Sequence, residues 1–245
     1  MNKVKATGIH ILISIVIVLS VLTTMYLLWY PNAYFALMGG QKLIIVLASV
    51  DIFLGPLLTF AVFKSGKKGL KFDLVCIGIL QIVALSYGVY VMFEARPVFT
   101  VFNKNKFQIS GVVEITPEEL AKAKNPNWRS LSINGPILVA IGVPDKKDKK
   151  ESMFARIETD SAYRYPRLYD QYENHRNEVI MSGKPLAILS SFSPKNKVII
   201  EKFVSRINQP QSNFLFVPIS SELEEMSVVV DAKTGNFIEI IDAHQ

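Results

Sequence analysis

Three long apolar runs lie in the first 93 residues of the chain. Residues 8–30 and 74–93 carry no formal charge, and residues 43–63 are interrupted only by Asp51. A helix of about 20 apolar residues crosses the hydrocarbon core of a bilayer, so each run is long enough to span one. The first run exceeds the apolar region of a signal peptide, about 7–15 residues, and we expect an uncleaved span. The pattern predicts three transmembrane helices in residues 1–96.

Residues 97–245 have the pattern of a separate globular domain. Residues 98–102 and 107–115 alternate as two strands of a hairpin, and residues 136–143 are a continuous apolar run typical of a buried strand. The other predicted elements are a short helix at 116–124, helices that begin at Pro166 and at Ser193-Pro194, and strands at 214–219, 226–231 and 236–241. Residues 145–150 are expected to form a solvated loop. These segregated runs predict an α+β domain with a largely antiparallel sheet.

The composition agrees with a membrane protein. Half of the residues are hydrophobic and the chain has one cysteine, which argues against a disordered chain and against a disulfide scaffold. Up to Arg96 there are eight basic and three acidic residues, whereas the rest has nineteen and eighteen. Because the positive excess belongs to the apolar part and not to a folded face, we expect no binding to nucleic acid.

The positions of the lysines predict the orientation of the spans. Lys3 and Lys5 precede the first run, and four lysines lie between the second and the third: Lys64, Lys67, Lys68 and Lys71. Under the positive-inside rule both segments are cytoplasmic, which leaves residues 97–245 on the outer side of the membrane. In a bacterial inner membrane that side is the periplasm. Trp29 and Tyr30 are predicted to anchor the first span at the interface. The basic loop is expected to contact anionic lipid.

The chain offers few groups for catalysis. His10, His175 and His244 are not spaced as metal ligands or as members of a catalytic triad, and Cys76 lies within the third run. Residues 233–235, Lys-Thr-Gly, match one box of the penicillin-binding proteins, but the Ser-Asp-Asn box is absent. We interpret the triplet as a turn between two strands, and we expect no enzymatic activity, no metal and no cofactor.

Asp51 is the most informative position, because it falls near the middle of the second run. A carboxylate at that depth costs about 2.5–3.5 kcal/mol and is a functional candidate by default. Intramembrane aspartyl proteolysis needs a second facing acid, and the other candidate, Asp73, lies at the basic interface. Two interpretations stay open. Asp51 bonds within the bundle, or it receives a cation from a partner helix in the membrane.

The neighbours of Asp51 define a candidate contact surface for a partner helix. Gly55 and Pro56 are expected to loosen the helix beside Asp51 and free backbone carbonyls there. On the third run, Gln81, Ser86 and Tyr87 are candidate hydrogen-bond partners. Small residues such as Gly78 permit close helix contact on that run.

Several of these segments together resemble one known family. They are residues 29–31, 51–59, 81–90, 96–98, 165–169 and 228–235. The chain resembles the type IV pilin accessory proteins of the TfpX/TfpZ family over nearly its whole length. The resemblance implies an inner-membrane protein that helps a cognate major pilin accumulate and assemble, and it implies no catalytic motif.

Two functional hypotheses follow. In the first, the three-helix bundle is a membrane chaperone that shelters the apolar helix of a type IV major pilin, while the exported domain contacts the pilin head. In the second, the chain is a membrane-tethered regulator of pilus extension or retraction that acts on inner-membrane assembly proteins. Loss of a chaperone lowers the pilin pool, whereas loss of a regulator leaves the pool normal and changes pilus number or dynamics.

Overall fold

A helical bundle precedes a sheet domain in the computed structural model, which describes residues 2–142 and 161–244. The bundle consists of α1 (Lys3–Leu28), α2 (Tyr34–Leu37), α3 (Gly40–Ser49), a π-helical turn (Val50–Leu54), α4 (Gly55–Val62) and α5 (Leu70–Glu94). By length and composition, α1 and α5 are each able to cross a membrane. The predicted second span is helical throughout residues 40–62 but is divided by the π-helical turn. A third crossing stays a prediction.

The two long helices present apolar side chains to the outside. A helix that is apolar around its whole circumference belongs in the core of a large protein or in a membrane, and most of α1 and α5 is exposed. These two helices are compatible with membrane anchoring. The divided middle helix packs against both of them.

At the end of α1, Tyr30 is buried and Trp29 is partly buried. The Tyr30 hydroxyl is buried and donates a hydrogen bond of 2.6 Å to the carbonyl of Met92, and the Trp29 ring meets the Phe93 ring edge-on at 5.0 Å. This differs from the interfacial anchor expected for Tyr30, because its hydroxyl finds its partner on α5. The pair joins α1 to α5.

The strands of the described residues form one sheet in the order β4-β3-β1-β2-β6-β7-β8. They are β1 (Pro97–Asn103), β2 (Lys106–Gly111), β3 (Ile137–Ile141), β4 (Tyr169–Gln171), β5 (Lys184–Pro185), β6 (Phe214–Ser220), β7 (Glu225–Asp231) and β8 (Phe237–Ile241). Among these strands, β1 with β3 and β2 with β6 pair in parallel, and the other pairs, including β5 with β6, are antiparallel. The predicted largely antiparallel sheet is confirmed.

Within the described residues, four α-helices accompany the sheet: α6 (Pro117–Ala121), α7 (Arg176–Ser182), α8 (Leu186–Phe192) and α9 (Pro194–Ile207). The helices predicted at 116–124 and from Ser193-Pro194 begin where expected, since the Thr116 and Ser193 side chains each accept a backbone N–H of the first turn, although α6 ends at Ala121. The predicted loop at residues 145–150 lies outside the described residues.

The helix predicted from Pro166 is wrong in its first half. Residues 166–168 form a 3₁₀ turn and Tyr169 lies in edge strand β4, so the helix begins only at Arg176. Tyr169 is buried against Phe99, and its hydroxyl donates to the Tyr163 carbonyl. Pairing with β3 therefore overrides the apparent helical spacing. Helix α8 was not predicted.

The link between α1 and the middle helix is part of the sheet domain's core. Leu37 of α2 is fully buried among Phe102, Val217 and other core residues. Its carbonyl accepts a 2.6 Å hydrogen bond from the Ser221 hydroxyl. The Tyr34 hydroxyl lies 2.7 Å from Thr100 Oγ1, and burial raises the pKa of Tyr34 to about 12. These contacts fix the bundle to the sheet.

A second connection runs through Arg96, between α5 and β1. The Arg96 side chain is buried, and it donates to the carbonyls of Ser132 and Phe93 at 3.1 and 2.7 Å. Its guanidinium also lies over the Phe93 ring. Burial lowers the pKa of Arg96, and the nearby Glu94 carboxylate partly offsets this. Helix α5 therefore passes into the sheet without a flexible linker.

Candidate functional site

Four polar side chains meet inside the bundle: His10 of α1, Asp51 of the π-helical turn, Thr59 of α4 and Gln81 of α5. His10 Nδ1 lies 2.6 Å from Thr59 Oγ1, and His10 Nε2 lies 2.7 Å from Gln81 Oε1. The Gln81 amide nitrogen donates to the carbonyl and to Oδ1 of Asp51, at 3.2 and 3.4 Å. The four residues thus form one continuous series of hydrogen bonds across four helical elements.

The donors and acceptors of this series determine one another. Because the Gln81 amide nitrogen faces Asp51, its Oε1 faces His10 and can only accept, so His10 Nε2 carries a proton. In a neutral ring, Nδ1 then accepts from the Thr59 hydroxyl. His10 and Thr59 therefore hold the amide of Gln81 with its donor side toward Asp51.

The π-helical turn explains why the Asp51 carbonyl is available to Gln81. The N–H of Gly55, which would bond this carbonyl in an α-helix, donates to the Val50 carbonyl instead. In a π-helix the next donor would be residue 56, which is proline and has no N–H. The Gln81 side chain supplies the missing donor.

Gly55 makes room for that side chain. A Cβ atom at Gly55 would lie 2.1 Å from Nε2 and 2.5 Å from Cδ of Gln81, so a larger residue displaces the amide. The structure therefore brings together four residues of the predicted contact surface: Asp51, Gly55, Pro56 and Gln81.

One oxygen of Asp51 is left open. Asp51 is 4% exposed, and its Oδ2 has no hydrogen-bond partner among the described residues. A buried carboxylate oxygen without a partner is costly, and it marks the position where a hydrogen-bond donor or a cation is stabilised.

Asp51 and Thr59 form the polar floor of a groove between α1 and α5. The groove has a volume of about 380 Å³. Its walls are mainly apolar and include Ile13 and Ile17 of α1 and Ile82 and Leu85 of α5. Small residues, Ser14 and Gly78, also line it, and nothing lies within 4 Å of a Cβ built on Gly78. A mainly apolar groove with one buried acid is suited to an apolar segment that carries one polar group.

Two sequence candidates lie outside the cluster, and two members were missed. Ser86 and Tyr87 are exposed on α5, Tyr87 by 69%, and neither reaches Asp51. His10 and Thr59 were not predicted as its members. The available signal was His10 itself, a polar ring in an otherwise uncharged apolar run.

The basic loop follows α4 and continues into the first turn of α5. Its lysines are exposed: Lys64, Lys67, Lys68 and Lys71. Lys67 Nζ forms a 2.6 Å ion pair with Asp73.

The Lys-Thr-Gly triplet is a turn, as predicted. Asp231 Oδ1 accepts hydrogen bonds from the backbone N–H groups of Lys233 and Thr234 and from the Thr234 hydroxyl. The Thr234 N–H is the main cause of the lowered pKa of Asp231. Gly235 adopts φ +66° and links β7 to β8. No cluster of His, Cys, Asp or Glu suited to a metal ion is found in residues 2–142 and 161–244.

Comparison with known proteins identifies relatives that cover up to 93% of the chain. No family model matches the sequence, and no solved structure matches it. The fimbrial assembly protein of Dichelobacter nodosus serogroup E1 is 31% identical over 238 residues, which cover 93% of this chain and 90% of that protein. The serogroup I protein is 27% identical over 233 residues, with the same coverage. The protein of serogroups C1 and C2 is 34% identical over 122 residues, 49% of this chain and 92% of its own length. Since the serogroup E1 similarity extends over nine-tenths of both proteins, this chain belongs to the family of fimbrial assembly proteins.

Proposed function

We propose that this chain is a non-enzymatic assembly factor of type IV pili, of the TfpX/TfpZ accessory type. It acts as a membrane chaperone that holds a cognate major pilin in the bacterial inner membrane before assembly. The observation that carries this proposal is the open carboxylate oxygen of Asp51 on the floor of an otherwise apolar groove. The printed names of the relatives, fimbrial assembly proteins, support the biological context.

Three crossings of the membrane are part of the proposal. Helices α1 and α5 have the necessary length and hydropathy. Residues 40–62 supply 23 consecutive helical residues, enough for about 30 Å of hydrocarbon at 1.5 Å per residue. Membrane helices tolerate a proline such as Pro56, because neighbouring helices satisfy the backbone groups that it frees. Here Gln81 of α5 bonds the free carbonyl of Asp51.

The contacts of the two loops support a periplasmic sheet domain. Residues 31–39, which lie between α1 and α3 and include α2, pack into the sheet domain's core. Lys3 lies over the ring of Phe60, so the N-terminus and the end of α4 share the other end of the bundle with the basic loop. Basic segments favour the cytoplasmic side, which puts the sheet domain on the opposite side.

The groove offers a pilin helix a surface that lipid does not. Association of helices in a membrane depends on close packing and on polar contacts, because lipid tails are as apolar as leucine. The small residues Ser14 and Gly78 allow close approach, and Asp51 Oδ2 accepts a donor or a positive group from the bound helix. The exported domain contacts the pilin head and provides subunit specificity.

The test is a pull-down of the tagged protein from its own host in mild detergent, read by mass spectrometry. The groove variant is Asp51→Asn. The matched control is Asp73→Asn, the same change at an acid that pairs with Lys67 in the basic loop. We expect mature pilin with the wild type and with Asp73→Asn, and its loss with Asp51→Asn at an unchanged level of the accessory protein.

Two outcomes contradict the proposal. If Asp51→Asn lowers the level of the protein itself, the residue is structural. If the wild type enriches inner-membrane assembly proteins and no pilin, the chain is a regulator of pilus extension or retraction.

A further inference from the structure

Three large apolar side chains of the sheet domain are exposed on separate loops. Val113 follows β2, Ile133 precedes β3, and Leu223 lies between β6 and β7. Their exposed fractions are 72%, 56% and 61%. Exposed apolar residues scattered singly are ordinary on a protein surface, so their location decides whether they have a common role.

Each of these loops is bound to the junction between the bundle and the sheet. The backbone N–H of Val112 donates to the Arg96 carbonyl at 3.2 Å, and Arg96 Nε donates to the Ser132 carbonyl at 3.1 Å. Leu223 lies against Gly39, since its Cδ1 is 2.8 Å from where a Cβ of Gly39 would lie. The three loops therefore lie at the end of the bundle where it meets the sheet.

The long helices are long enough for the membrane surface to lie at this junction. Helices α1 and α5 have 26 and 25 residues, which correspond to about 39 and 37 Å at 1.5 Å per residue. The hydrocarbon core is about 30 Å thick. Both helices therefore extend into the headgroup layer, where they end beside the three loops.

We infer that Val113, Ile133 and Leu223 form an apolar rim that inserts into the boundary between headgroups and acyl chains of the outer leaflet. The bilayer surface is the occupant because the three loops lie at one end of the bundle, whose long helices α1 and α5 expose apolar side chains. Such side chains partition into this boundary when a neighbouring element holds them there. The rim supports the sheet domain at the membrane surface at a fixed height. This inference rests on the proposed membrane placement of the bundle.

The test measures the depth of single nitroxide labels in the full chain, reconstituted in vesicles of phosphatidylethanolamine and phosphatidylglycerol. In a Cys76→Ser background, the rim positions are labelled one at a time as Val113→Cys, Ile133→Cys and Leu223→Cys. The aqueous control is Met181→Cys. Met181 is 86% exposed, and the next residue, Ser182, bonds Lys104 in the β1–β2 turn, at the opposite end of β1. The membrane control is Val83→Cys on the outer face of α5.

Accessibility to oxygen and to a water-soluble nickel chelate is compared by power saturation. We expect the ratio of oxygen to chelate accessibility at the rim to exceed that at position 181 by about threefold or more, as for side chains at the interface. If the ratio of oxygen to chelate accessibility at the rim positions equals that at position 181, while position 83 lies in hydrocarbon, the rim does not insert. The membrane placement of the bundle then still holds. If the label at position 83 is as accessible to the water-soluble chelate as the label at position 181, the bundle does not lie in the membrane. That result contradicts both the rim and the proposed function.

Discussion

Replacing Gln81 with leucine tests whether the polar floor of the groove stabilises the bundle. Leucine fills a similar volume, but it removes the hydrogen bonds to the Asp51 carbonyl, to Asp51 Oδ1 and to His10 Nε2. A hydrogen bond between membrane helices contributes about 0.6 kcal/mol and at most about 1.7, and a buried polar group left without a partner costs about 1–3 kcal/mol. These three losses predict that the free energy of unfolding falls by about 2–4 kcal/mol.

The assay is unfolding of the purified protein in mixed micelles by increasing dodecyl sulfate, followed by loss of helical circular dichroism. Gln41 provides a matched control, because it is exposed at the start of α3. Gln41→Leu is expected to change the free energy of unfolding by less than about 0.5 kcal/mol. An equal change in the two variants would refute the reasoning, since the amide of Gln81 would then contribute no more than an exposed one.

Two further predictions concern the sheet domain. Gly235→Ala should lower its unfolding free energy by about 2–4 kcal/mol in thermal denaturation, because the backbone has φ +66° and the new Cβ would lie 2.6 Å from the Arg176 carbonyl oxygen. Gly66→Ala, also at positive φ but in open space, should have the smaller effect, and the reverse order would contradict this. The lowered pKa of Asp231, due chiefly to the Thr234 N–H, stabilises the fold above the unfolded value of about 3.9 and loses its effect as pH falls. Between about pH 5 and about pH 3, the Tm of the wild type should therefore fall by more than the Tm of Asp231→Asn. An equal decrease of Tm in the two proteins would contradict this prediction.

The periodicity of the chain was sufficient to predict most of the sheet. The hairpin of β1 and β2 and the strands at the end of the chain follow from alternation within single segments. The segment after Pro166 was predicted wrongly because its spacing suits a helix, whereas its conformation depends on pairing with β3, nearly thirty residues earlier. The pattern of residues within one segment does not show which distant strand that segment pairs with.

The candidate site shows the same limit. Asp51, Gly55, Pro56 and Gln81 were recognisable because an acid, a glycine-proline pair and an amide are unusual within apolar runs. Tyr87 was a wrong choice of partner: six residues after Gln81, it lies about 120° away around the helix. The contribution of His10 depends on how α1 is positioned along the middle helix. That offset is set by packing between segments some fifty residues apart.

The buried position of Leu37 imposes an order on the biogenesis of the protein. Its hydroxyl partner, Ser221, is 184 residues further along the chain, so the core of the sheet domain is completed by a segment synthesised before α5. In the proposed topology, α1 and the middle helix must be inserted, and residues 31–39 translocated, before the sheet can close around that segment. Residues 97–245 produced without the helices lack part of their own core. In that topology, complete folding of the sheet domain indicates that membrane insertion of the preceding helices has succeeded.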